Sequence, residues 1–119
     1  SHNYSLDYDA HYRHLLKQID PRSAMEERFL NYLYREGLRL PDGAQQITTD
    51  VYSRPDFYYA PDIHVFCDGT PHDSPGVQEI DKKRREALRN SGKQVLVWHY
   101  KELLEDFIAR RPDIFKKVK

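Results

Sequence analysis

Cysteine is almost absent from this 119-residue chain, where Cys67 stands alone. A single thiol excludes a disulfide framework and a CxxC zinc site, and it points to a reducing compartment such as the cytoplasm. Long apolar runs are missing too: nothing approaches the roughly 18 residues that a membrane span needs, and mean hydropathy is −0.87. No secretory signal is visible, and the chain opens Ser1-His2-Asn3 without a Met, as expected of a cloning remnant or of a domain cut from a longer protein. There are no repeats and no low-complexity segments. His11, His14, His64 and His99 lack the spacing of a zinc site.

What the chain does have is aromatic mass and unevenly distributed charge. Nine Tyr, five Phe and one Trp supply enough large side chains to bury a single core, which excludes whole-chain disorder. Net charge is zero, yet 7 basic and 14 acidic groups lie up to residue 81, against 12 basic and 5 acidic groups beyond it. An acidic part can hold cations and a basic part can meet phosphate. The ordinary use of the basic run Lys82 to Arg85 is a solvated helix face.

Apolar periodicity predicts the elements. Tyr8, Tyr12, Leu15, Leu16 and Ile19 recur at helical spacing, so residues 7–18 read as a helix with Asp7 as N-cap, closed by Asp20-Pro21. Ser23-Ala24-Met25-Glu26 fits a capping box opening a second helix, with Met25, Phe29 and Leu33 inward and Gly37 as its left-handed stop. Leu38–Leu40 and Gln45–Val51 are weak strand candidates around a Pro41-Asp42-Gly43 turn. After Arg54–Tyr59 and a Pro61-Asp62 turn, Ile63–Asp68 has the clearest buried-strand pattern. Residues 69–76 read as a loop, 78–91 as a helix, Gln94–Trp98 as a buried strand, and 101–111 as a last helix with Leu103, Leu104, Phe107 and Ile108 inward. The helix between the last two strands allows a parallel crossover. The expected fold is a mixed central sheet flanked by helices, an α/β/α sandwich in the order ααβββαβα.

Four residues stand out for chemistry by their positions: Glu26 in the first turn of a helix, Asp56 at a strand start after Pro55, Asp68 at the end of the central strand, and His72 in the loop after it. Carboxylates at strand ends, joined by a helix-borne Glu, offer the hard oxygens that Mg²⁺ prefers. Each also has an ordinary use. Glu26 can be the acid of a capping box, Asp56 can shape a turn, Asp68-Gly69 is a common turn dipeptide, and a lone His is usually a surface residue.

In their order and spacing these motifs resemble the PD-(D/E)XK nuclease superfamily, specifically its very-short-patch-repair endonuclease-like branch. The stretch Ser23-Ala24-Met25-Glu26 is similar to the opening helix, and it selects Glu26 over Glu27. Pro55-Asp56-Phe57 is similar to the Pro-Asp motif. Val65-Phe66-Cys67-Asp68-Gly69-Thr70-Pro71-His72 is similar to the central strand, its Asp-Gly turn and the downstream His. Asp81, Arg84 or Arg85, Leu88, Gly92 and Val95–Trp98 match the closing helix and strand. The match covers about residues 23–105, so the expected division is an N-terminal helical extension, 1–22, and a restriction-endonuclease-like domain, 23–119.

The resemblance implies a Mg²⁺- or Mn²⁺-dependent DNA endonuclease. It implies that Asp56 and the carbonyl of Cys67 hold the metal, that Glu26 and Asp68 belong to the catalytic group, and that His72 assists the attacking water. Phe66 departs from the pattern by standing where many relatives carry Glu. Lys82, Lys83, Arg84, Arg85 and Arg89 would flank DNA phosphates. The expected setting is a module of a larger protein, such as a helicase or a bacterial defence protein. The alternatives are an inert nuclease-fold module that binds DNA or protein, a reading Phe66 favours, and an α/β interaction domain unrelated to nucleic acid.

Overall fold

The computed structural model describes residues 4–45, 55–69 and 75–119, with side chains described from residue 7 in the first helix and from residue 82 in the third. The elements are α1 (Tyr4–Gln18), α2 (Ala24–Glu36), β1 (Gly43–Ala44), β2 (Phe57–Tyr59), β3 (Ile63–Asp68), α3 (Pro75–Asn90), β4 (Gln94–His99) and α4 (Leu104–Ala109). They form a mixed α/β sandwich around a sheet ordered β1-β2-β3-β4. The first three strands run antiparallel and β4 lies parallel to β3, with Val65 opposite Leu96 and Asp68 opposite His99.

Alternation along the strands divides the side chains between two faces. On one face Phe57, Tyr59, Ile63, Val65, Leu96 and Trp98 are buried against α1, α2 and α4, whose Leu15, Phe29, Leu33 and Phe107 complete a single core. Phe29 is its hub: its ring stacks on Phe57 at 4.7 Å and meets Phe115 edge-on at 5.9 Å. Truncating such a residue typically costs about 3–5 kcal/mol. The other face carries His64 and Phe66 under α3, whose Leu88 is buried. Tyr8 and Leu15 of α1, with Ile19 just after it, belong to the main core, so one core takes in residues on both sides of position 22.

Local chemistry explains α2 well. Ser23 Oγ accepts the Glu26 N–H at 3.2 Å, and Gly37, at φ 68°, donates its N–H back to the last turn. Elsewhere the boundaries differ from expectation. Asp7 is not an N-cap but sits in the first turn of α1, which begins at Tyr4. Leu38–Leu40 is no strand; Leu38 makes one isolated bridge, to Lys117, and the Arg39 N–H donates to the Lys116 carbonyl. The tail supplies the partner, a contact too distant in sequence to be read from local pattern. The first strand instead falls on Gly43–Ala44, beginning at the last residue of the expected turn. Gln45 takes φ 55° and ends it, while the rest of the 45–51 candidate lies outside the described residues. Helix α3 begins at Pro75, a residue suited to a first turn because its missing N–H is not needed there. Leu103 is not inward: it is 64% exposed, because α4 begins only at Leu104 with Leu103 as its extended N-cap residue.

Candidate active site

The site is built where β2 begins, β3 ends and α2 starts. Glu26 is brought there by the α2 cap. In a complete capping box its carboxylate would turn back to the Ser23 N–H, but that N–H already donates to the Asp20 carbonyl at 2.9 Å. Glu26 Oε1 is therefore turned elsewhere: it accepts the Gln45 side-chain amide at 2.8 Å and, weakly, the Asp20 N–H at 3.4 Å. At 4% exposure Glu26 is buried, which is unusual for a residue that only caps a helix.

Asp56 meets the same amide. Gln45 Nε2 donates to Asp56 Oδ1 at 3.0 Å, and the Gln45 backbone N–H donates to the Asp56 carbonyl at 3.1 Å. The other carboxylate oxygen, Oδ2, accepts the backbone N–H of Cys67 at 2.6 Å. One residue that sequence reasoning did not single out, Gln45, thus joins the two acids that it did. No signal in composition or spacing marks it, since a Gln in a weak strand candidate is unremarkable and its role comes from a left-handed turn.

The register of the sheet explains the other half of the site. Asp62 and Asp68 offer their carbonyls to β4, accepting the Gln94 and Tyr100 N–H groups at 2.8 and 2.9 Å, so even-numbered residues of β3 bond toward β4 and odd-numbered ones toward β2. Phe57 pairs with Val65. Continuing that register by two residues sets Pro55 opposite Cys67, and proline has no N–H to offer. The Cys67 carbonyl accordingly faces the end of β2 without a ladder donor from its neighbour. The Pro-Asp sequence thereby does two things: Pro55 withholds a donor from one carbonyl, and Asp56 supplies a carboxylate beside it.

The electrostatics follow from burial. Desolvation raises the Asp56 pKa to about 6, with the Glu26 charge adding to it, while the Cys67 N–H, the Gln45 amide and the Arg85 charge pull the other way. Burial, and then the charges of Asp56 and Glu26, push the Cys67 thiol well above its usual value. It stays protonated at neutral pH, which rules it out as a ready thiolate nucleophile.

The remaining candidates fall in three places. Asp68 sits at the end of β3, opposite His99, and among the described residues no hydrogen bond joins it to Glu26, Gln45 or Asp56. His72 lies outside the described residues. Lys82, Lys83, Arg84, Arg85 and Arg89 all lie on α3. Lys82, Lys83 and Arg89 are exposed, whereas Arg85 is half-buried with its guanidinium 5.1 Å above the Phe66 ring. The Phe66 ring is therefore a platform for a cation, and that cation's charge reaches Asp56.

A hard cation suits this donor set. Asp56 and Glu26 offer carboxylate oxygens that retain unshared lone pairs, and the Cys67 carbonyl offers a third oxygen, which matches an ion that keeps several waters. Among the described residues no group of three or more His, Cys, Asp and Glu side chains is gathered to hold an ion; the candidate set instead combines two side chains with main chain. No helix among the described residues is long and apolar enough to cross a membrane. No family model, curated protein or solved structure matches the chain.

Proposed function

We propose that this chain is a metal-dependent DNA endonuclease domain of the PD-(D/E)XK type that hydrolyses phosphodiester bonds as a module of a larger protein. One observation carries the reading: Glu26, Asp56 and the Cys67 main chain, separated by up to 41 residues of sequence, meet at one strand end through Gln45 and the Cys67 N–H. Asp56 and the Cys67 carbonyl would hold Mg²⁺ or Mn²⁺, with Glu26 acting through water. When bound, such an ion offsets charge on a phosphate oxygen and lowers the pKa of a water. Asp56 presents its oxygens already oriented by the Cys67 N–H. His72 takes the proton of the attacking water, a role worth about 10²–10⁴ in rate. The α3 cations lie along the neighbouring phosphates.

The test is cleavage of supercoiled, linear and mismatched DNA with Mg²⁺ or Mn²⁺. Wild-type protein should cut and Asp56→Asn should not, with the fold retained. A second reading, an inert nuclease-fold module that binds DNA or protein, is favoured by Arg85 seated on Phe66, where many relatives of the proposed superfamily carry an acid. It predicts DNA binding without cleavage in the same assay.

A further inference from the structure

Resting on that reading, we infer that Gln45 is a built-in competitor for the metal ion: its amide bridges the acid pair and must leave when the ion arrives. A buried carboxylate, Glu26, and a half-buried one, Asp56, brought against one another need something positive between them. Here it is the Nε2 group, whose two hydrogens match two acceptors, Glu26 Oε1 at 2.8 Å and Asp56 Oδ1 at 3.0 Å. The amide provides this without carrying a charge.

The placement is held from behind. Gln45 stands in the left-handed region at φ 55°, where a residue with a β-carbon is uncommon, and its N–H is fastened to the Asp56 carbonyl at 3.1 Å. The turn that orients the side chain is thus tied to the residue that the side chain serves. An ion drawing on Asp56 Oδ1 needs the lone pairs on which Nε2 now sits, and the positive end of the amide would face the ion. Both cannot hold that oxygen from the same side. Ion affinity is therefore the affinity of the oxygens less the strength of two charge-assisted hydrogen bonds. Gln45 sets the cation concentration at which the site fills.

This predicts an unusual pairing of effects, which calorimetric titration with Mn²⁺ and thermal unfolding in EDTA would test. Gln45→Met keeps the length and removes the donors. Gln45→Asn suits the left-handed turn but is one methylene short of spanning both acids. Each variant should melt lower than wild type without metal and yet bind Mn²⁺ about tenfold tighter, a change of about 1.4 kcal/mol. A merely structural Gln45 would lower the melting temperature and leave Mn²⁺ affinity unchanged or weaker, and that result in both variants overturns the inference while leaving the nuclease reading standing. If wild type and both variants bind no Mn²⁺ at all, the nuclease reading fails and this inference with it.

Discussion

Oδ2 of Asp56 accepts the backbone N–H of Cys67 at 2.6 Å, so a side chain substitutes for main chain where the ladder between β2 and β3 stops. In an uninterrupted antiparallel pair the carbonyl of residue 55 would take that N–H. The strand end is instead closed by a carboxylate. A single residue then serves both as the last rung of the sheet and as a candidate ion ligand.

That double use fixes the sign of its pH dependence. Asp56 has a folded pKa of about 6 against an ordinary 3.8, so between these values the folded state holds the proton more tightly than the unfolded one. Stability contributed by this group is present at low pH and falls as pH rises through the window, by about 3 kcal/mol. In EDTA, the urea midpoint of wild type should drop relative to Asp56→Asn between pH 4 and 7. A constant difference across that range would mean that Asp56 titrates like a surface acid.

His64 pulls the other way. It is 2% exposed, its Nδ1 meets no hydrogen-bond partner among the described residues, and its ring lies 5.4 Å from that of Tyr58. Burial, then the Lys93 charge, lowers its pKa below 6.5 against the opposing charge of Asp62. The unfolded state therefore takes up a proton first as pH falls, and stability is lost below about pH 6.5. His64→Phe keeps the ring contact and removes the titration, so its unfolding midpoint should rise relative to that of wild type as pH falls from 7 to 5. An equal slope in both proteins would remove His64 from the account.

Gly37 ties the end of α2 to the C-terminal tail. Its φ of 68° closes α2, its carbonyl accepts the N–H groups of Val118 and Lys119, and a β-carbon there would lie 2.9 Å from the Lys119 carbonyl oxygen. Gly37→Ala should cost more than about 1 kcal/mol, since strained backbone and a displaced tail add together. Ser23→Ala at the other end of α2 should cost about 1 kcal/mol through the lost cap alone. Chemical denaturation of both variants checks the order: Gly37→Ala should be the worse.

DNA binding, if carried by α3, should be steeply salt-dependent. Lys82 and Lys83 are both exposed, so removing them leaves the Arg85–Phe66 contact in place. Lys82→Ala with Lys83→Ala should reduce the slope of log affinity against log salt by about 2 if both meet duplex phosphates. An unchanged slope assigns them to a solvated face.

Much of this molecule is written in short-range pattern. The α2 cap, the Gly37 stop, the six residues of β3 and the parallel β3–β4 pair follow from the side-chain period, a capping serine, a glycine and a crossover of sufficient length, all of them local properties. The candidate acids Glu26 and Asp56 were legible for the same reason, as residues at element ends. What pattern could not decide is what those acids do with their hydrogen bonds. Whether Glu26 closes a capping box depends on the Ser23 N–H having another acceptor, Asp20; whether the Cys67 carbonyl lacks a ladder donor from β2 depends on a register that sets Pro55 against it. Gln45 shows the limit most clearly: its amide matters because three segments bring two carboxylates to within 3.0 Å of one nitrogen. Such a meeting is a property of packed segments in space, and no spacing along the chain encodes it.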